Sequence, residues 1–293
     1  MDPDIKLIAS AVSDWEGDWI ERTRLLLEQA ADLIDYLSLH WYIGNPDDDF
    51  NTYMAVSELL ENRLTAYEGL IQAVSLEKSI RRPIYIAIDE WNVWYRTHPR
   101  YRGISEENKL EEIYNLEDAL AVAIQLNAFI RHSNRVKMAN IAQLVNVIAP
   151  ILTRPEELVL QTIFFPFEIY RRTCGNLSLD PRWEGNTFSG GGYTGIRTLD
   201  VSATLDENQK SITLYVVNRS HSREMPTEII LTAGDFSGQI TVYTVDGPDI
   251  KAENTFEYPN KVGITKNVVT VKRNTLNYSF KPHSITALVG YIS

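Results

Sequence analysis

"RRPIYIAIDEWNVWYR", residues 81–96, begins as an apolar run rich in β-branched residues and ends on Asp89-Glu90-Trp91-Asn92. A short apolar run of this kind reads as a strand of a parallel sheet buried on both faces. The spacing predicts it over 83–89. Two adjacent carboxylates among tryptophans do not belong at the end of a core strand unless that end carries a site. Sheets built of βα units assemble their sites at the carboxyl ends of the strands. Side chains alternate along a strand, so Glu90 is expected to share a face with Ile86 and Ile88, and Asp89 with Ala87. With the Ile86 face turned inward, Glu90 points at the mouth of a barrel and Asp89 toward the helices. The plainer alternative is that both acids cap the following segment or pair with an arginine.

Working outward, short apolar runs alternate with helical stretches on both sides. "IKLIASA" (5–11) and "DYLSLHWY" (35–42) are strand candidates, and "WIERTRLLLEQAADLI" (19–34) has helical spacing. A polar and then helical stretch follows to about Ser79. Residues 94–116 are polar and turn-rich. "LEDALAVAIQLNAFIRHS" (116–133) is a helix, and "MANIAQLVNVIA" (138–149) a fourth, unusually polar strand. Residues 155–173 read as mostly helical, with Pro155 in the first turn and a kink at Pro166. Four strand–helix repeats indicate a parallel sheet of the (β/α)-barrel kind. About 175 residues is too few for a whole barrel, which takes about 250. The expected fold is therefore half of a (β/α)8 barrel over residues 1–175. After it, "CGNLSLDPRW" and "SGGGYTG" look like linkers. Six short alternating runs follow, from "RTLDVSATL" to "SITALVGYI", and predict an antiparallel, jelly-roll-like β-sandwich over 176–293.

Bulk composition narrows the function. The chain has 293 residues, a net charge of −11 and a pI near 5.0. No basic stripe exists to neutralise phosphates, which argues against a nucleic-acid partner. No apolar run is long enough to span a membrane. One cysteine, Cys174, excludes an internal disulfide and a cysteine-based metal cluster. A reducing, cytoplasmic setting fits this, as does a disulfide-free secreted one. The opening "MDPDIKLIAS" lacks a basic n-region and a cleavage site.

Candidate site residues gather near the strand ends. Ser38, His40 and Tyr42 share one face of the second strand. A tyrosine phenol can donate to a carboxylate nucleophile, and a histidine can position a sugar hydroxyl. Gln143, on the fourth strand, carries an amide that both donates and accepts. Each alone is equally explained as a satisfied core group. Trp41, Tyr42, Trp91, Trp94 and Tyr95 supply aromatic faces of the kind on which sugar rings stack. Together these point to carbohydrate. "GGGYTG" (190–195) is not followed by a helix and reads as a turn, not a phosphate loop. The five histidines are scattered without metal-ligand spacing, and "GNPDDDF" (44–50) lacks the closing glutamate of a calcium loop. Neither a metal nor a cofactor is expected. Asn176, Asn218 and Asn277 begin sequons that matter only in a secreted chain.

"DYLSLHWYIGN", "IAIDEWNVWY" and "MANIAQLVNVIAP", in this order and followed by a sandwich containing "LYVVNRS", resemble the C-terminal two-thirds of α-L-arabinofuranosidases of glycoside hydrolase family 51. The resemblance runs from about residue 3 to the end of the chain. It implies a retaining, metal-free hydrolase that removes terminal arabinofuranosyl groups from arabinan- or arabinoxylan-type glycans. It implies Glu90 as nucleophile, Tyr42 as the tyrosine beside it, and His40 as the histidine two residues earlier. Gln143 would bind the sugar, and Trp94 would form a wall of the pocket. The family's general acid/base is a glutamate in a Gly-Asn-Glu motif, which this sequence lacks; Gly44-Asn45, Gly175-Asn176 and Gly185-Asn186 are not followed by glutamate. The expectation is therefore a C-terminal portion of a longer enzyme, weakly active alone. Its partner would be a complementary N-terminal half-barrel chain or, as a homo-oligomer, a second copy, although two copies bring two nucleophiles and no acid. A non-catalytic sugar-binding protein and a related glycosidase such as an endoglucanase are the competing readings.

Overall fold

The structure, a computed structural model, describes residues 4–10, 17–98 and 110–293. Strands β1 (Ile8–Ala9), β2 (Tyr36–Ile43), β3 (Tyr85–Val93) and β4 (Val136–Ile141) form a sheet in that order, with every neighbouring pair parallel. Parallel strands need crossovers. Here these are α1 (Trp19–Ala30), the short α2 (Phe50–Met54) with the long α3 (Val56–Glu77), and α4 (Leu116–Arg131). Asn115 and Asp118 close a reciprocal capping box at the start of α4. Leu37, Leu39, Ile86 and Ile88 are fully buried in one cluster with Leu64 and Leu120 from the helices. Truncating any one of them to alanine is worth about 2–5 kcal/mol of stability.

Several expectations are corrected here. β3 runs on to Val93 instead of ending at 89. β4 stops at Ile141, because the chain turns where Asn92, at the end of β3, donates its side-chain amide to the carbonyls of Ala142 and Ile148. Residues 155–160 are not helical. Strands β5 (Ile151–Arg154) and β6 (Glu157–Leu160) form a hairpin turning on Pro155 and Glu156, the latter at φ 67°. Proline suits the first corner of such a turn as well as it suits a helix start. Helix α5 (Phe164–Thr173) therefore begins later, and Pro166 falls in its first turn, where an absent N–H leaves no bond unmade and no kink is needed. Ala11 of the 5–11 strand candidate, and 99–109 of the turn-rich stretch, lie outside the described residues.

The two linker-like stretches are structured. β7 (Leu177–Leu179) joins the sandwich, and β8 (Thr187–Gly190) with β9 (Tyr193–Arg197) forms a hairpin. Its turn places Gly191 and Gly192 at φ 57° and 81°, and a Cβ on Gly190 would stand 2.3 Å from the Asn51 carbonyl oxygen. Glycine is there for close approach as well as for turning.

The remaining strands are β10 (Leu199–Asp206), β11 (Ser211–Asn218), β12 (Met225–Ile230), β13 (Phe236–Asp246), β14 (Gly263–Thr270), β15 (Thr275–Phe280) and β16 (Ser284–Ile292). A six-stranded antiparallel sheet runs β14-β13-β16-β11-β10-β7. The β12–β15 pair packs on it through Met225, Leu276 and Phe280 against Val201, Val216 and Leu288, which makes a β-sandwich. Helix α4 joins this sandwich to the parallel sheet. Asn127 donates to Asp200 at 2.7 Å, and Arg131 reaches Asp200 at 3.2 Å and the Val201 carbonyl at 2.7 Å. Tyr170 of α5 stacks on Tyr215 at 4.1 Å. Burial pushes the Asp200 carboxyl up, but Arg131 and Arg219 outweigh this and hold it below the usual range. No helix among the described residues is long and apolar enough to cross a membrane.

Candidate active site

The register between β2 and β3 builds the site. Ser38 pairs with Ala87 and His40 with Glu90, so Leu39 alone faces both Ile88 and Asp89. This is a β-bulge, and it interrupts the two-residue alternation on which the sequence reading depended. Asp89 and Glu90 consequently both lie half-exposed, while Trp91 turns inward and is fully buried against Phe129 and Phe167, ring centroids 5.0 and 5.6 Å away. The expected split is therefore corrected. Ile86 and Ile88 pack in the cluster that includes the helices, Glu90 does not share their side, and Asp89 does not point to the helices.

Each carboxylate has its own partners. Ser38 Oγ donates to Asp89 Oδ1 at 2.7 Å. Tyr42 Oη donates to Glu90 Oε1 at 2.5 Å. His40 stands between the two acids, with Nδ1 3.5 Å from Glu90 Oε2 and Nε2 3.6 Å from Asp89 Oδ1. Burial pushes the Tyr42 phenol far above its ordinary pKa, and the bond to Glu90 adds to the shift. Tyr42 therefore stays protonated and acts as a donor across the whole working pH range.

Trp94 follows directly on β3. Its backbone N–H donates to the Ile43 carbonyl at 2.9 Å, and its ring meets Tyr42 edge-on at 5.5 Å. Trp94 Nε1 donates to Thr97 Oγ1 at 3.1 Å, and the His98 ring lies 4.2 Å away. The structure thus brings together His40, Tyr42, Glu90 and Trp94. Gln143 lies not on β4 but in the exposed turn beyond it, and its side chain makes no hydrogen bond to the other four. Sequence reasoning turned Asp89 toward the helices, and it missed Thr97 and Glu112. A bulge leaves no periodic signal, and the contacts of Thr97 and Glu112 depend on loop geometry. Among the described residues no group of three or more His, Cys, Asp or Glu side chains could hold a metal ion.

The arrangement is a carboxylate held by a phenol and flanked by an imidazole, with an indole edge-on to the phenol. The chain itself resembles proteins of known kind. Residues 89–284 match the family described as alpha-L-arabinofuranosidase C-terminal domain. The chain is 33% identical, over 97% of its length, to an intracellular exo-alpha-(1->5)-L-arabinofuranosidase 1 of Bacillus subtilis (strain 168). It is 28% identical, over 98% of its length, to an exo-alpha-(1->6)-L-arabinofuranosidase of Bifidobacterium longum. It spans 58% of each of those two proteins. Among solved structures it resembles the arabinose complex of the Thermotoga maritima alpha-L-arabinofuranosidase, with 30% identity and a TM-score of 0.84, over 98% of this chain and 58% of that one. The chain belongs to the α-L-arabinofuranosidases of glycoside hydrolase family 51, matching the part of them that carries their C-terminal domain.

Proposed function

We propose that this chain carries the nucleophilic half of a retaining α-L-arabinofuranosidase site, with Glu90 as the attacking carboxylate. The single observation that carries this is the Tyr42–Glu90 hydrogen bond at 2.5 Å, beside His40, on an open sheet face. In a retaining mechanism the carboxylate attacks the anomeric carbon and the glycosidic C–O bond breaks with its electron pair leaving on the aglycone oxygen. Water then cleaves the glycosyl ester and returns the carboxylate. Tyr42 orients Glu90 through Oε1, His40 positions sugar hydroxyls or the carboxylate itself, and Trp94 provides an apolar wall. Gln143 reaches the sugar from the turn after β4.

The natural leaving oxygen also needs a proton, and a second carboxyl group about 5–5.5 Å from the first normally supplies it. Asp89 is already engaged by Ser38 and His40. The chain's own residues therefore support attack more fully than protonation. The parallel order β1-β2-β3-β4, with helices packed on one face, supports reading residues 1–175 as half of a (β/α)8 barrel and 176–293 as the sandwich domain. Further strands, from a complementary chain or another copy, would add at β1, beside exposed Ile5, Leu7 and Ile8. The names of the relatives support arabinofuranosyl oligosaccharides as substrate and a cytoplasmic setting.

The test is release of dinitrophenolate from 2,4-dinitrophenyl α-L-arabinofuranoside, whose leaving group departs without a proton. Release by the chain that is lost in Glu90→Gln supports the assignment, and comparable release from the aryl glucoside analogue argues against the sugar class.

A further inference from the structure

Beyond β3 the Trp94 N–H still donates to the Ile43 carbonyl of β2, and residues 95–97 then leave the sheet while Trp94 stays against Tyr42. Buried backbone N–H groups must find acceptors. Here three consecutive ones, from Tyr95, Arg96 and Thr97, converge on the carboxylate of Glu112 at 2.7, 2.6 and 2.8 Å. The Thr97 hydroxyl donates to the same carboxylate at 2.7 Å. That hydroxyl also accepts from Trp94 Nε1 at 3.1 Å. Glu112 is fully buried. A run of backbone N–H groups wrapped around one anion is a nest, a geometry proteins otherwise use to hold anionic ligands. Here the anion is the protein's own.

The surrounding segment grips the same loop from other directions. Tyr114 Oη donates to the Val93 carbonyl at 2.8 Å, Arg96 reaches Asp118 at 2.9 Å, and Gln161 anchors Glu112 through its backbone carbonyl at 3.0 Å. Asp118 and Tyr114 fasten the ends of the loop. Of these three acids and phenols, Glu112 is the one that connects, through Thr97, to the indole.

We propose that Glu112 is a positioning residue that sets the orientation of Trp94 through Thr97, and so tunes how tightly the pocket holds the sugar. This rests on the reading of Trp94 as a pocket wall. Glu112 touches no substrate. Its effect falls on ground-state binding, because Tyr42, His40 and Glu90 are held by β2 and β3 without it.

The experiment follows the concentration dependence of dinitrophenolate release from 2,4-dinitrophenyl α-L-arabinofuranoside in the full chain. Amide hydrogen exchange over residues 95–97 is measured alongside. Glu112→Gln and Thr97→Val are each expected to raise the half-saturating concentration about 3- to 10-fold, the worth of one hydrogen bond, with the maximal rate unchanged. Thr97→Ser restores the wild-type value. Exchange accelerates at Tyr95, Arg96 and Thr97 in Glu112→Gln and stays slow in Thr97→Val. The inference is overturned if Trp94→Ala raises half-saturation while Glu112→Gln and Thr97→Val do not, or if both variants lower the maximal rate instead. A Trp94→Ala variant indistinguishable from wild type would instead remove Trp94 from the pocket. The exchange result alone would then decide whether Glu112 organises the loop.

Discussion

Tyr42 donates its phenolic proton to Glu90 at 2.5 Å across two neighbouring parallel strands. The phenol is kept protonated by burial and by the carboxylate itself. Replacing it with phenylalanine keeps the ring against Trp94 and removes only the donor. A hydrogen bond to a charged group contributes roughly 1.5–3 kcal/mol, so Tyr42→Phe should slow attack by Glu90 about 10- to 100-fold. The check is the rate of the first-turnover burst of dinitrophenolate, which reports attack and not the slower hydrolysis of the ester.

His132, at the end of α4, links that helix to α3, with Nε2 2.6 Å from Glu61 and Nδ1 2.8 Å from Glu68. Burial pushes the imidazole pKa down, but the hydrogen bonds to Glu61 and Glu68 outweigh it and the net shift is upward from 6.5. A folded-state value above the unfolded one gives stability that is complete below about 6.5 and disappears as pH rises through the folded value. The urea midpoint should therefore fall as pH rises above about 6.5, and the fall should flatten in His132→Gln. A midpoint equally pH-dependent in both proteins would exclude this pair as its source.

Asp200 of β10 is buried between Arg131 of α4 and Arg219, which also donates to Ser57 at 2.7 Å. Removing the shared acid takes the carboxylate from the buried Arg219 guanidinium, while half-buried Arg131 keeps Glu61 at 2.6 Å. Asp200→Ala should cost about 3–5 kcal/mol, read as a lower denaturation midpoint, because breaking a buried pair strands its partner. An unchanged midpoint would mean that the contact between helices and sandwich contributes little to stability.

How much of this was legible in the sequence differs from element to element. Strand β3, helix α4 and the sandwich strands were readable because apolar periodicity and turn residues agree over long runs. His40, Tyr42, Glu90 and Trp94 were readable as a group from strand ends and aromatic clustering. The sides taken by Asp89 and Glu90 were not, because a single bulge at Ile88–Asp89 shifts every later side chain and carries no compositional mark. Residues 155–160 read as helix because Pro155 suits both a helix start and the turn that it makes between β5 and β6. "LSL" and "GGGYTG" looked like linkers because the reason for their order, the approach of Gly190 to Asn51 and the pairing of β7 with β10, lies in distant residues. Glu112 gave no signal because its three backbone partners are 15 to 17 residues away and could be any residue type.

The central claim is that Glu90 attacks the sugar, and intact-mass measurement tests it most directly. The chain is incubated with 2,4-dinitrophenyl α-L-arabinofuranoside, and the labelled peptide is then mapped. The predicted result is an increase of one pentosyl unit, located on Glu90 and absent from Glu90→Gln. An unchanged mass in the wild-type chain, an adduct on Asp89, or one that persists in Glu90→Gln would contradict it.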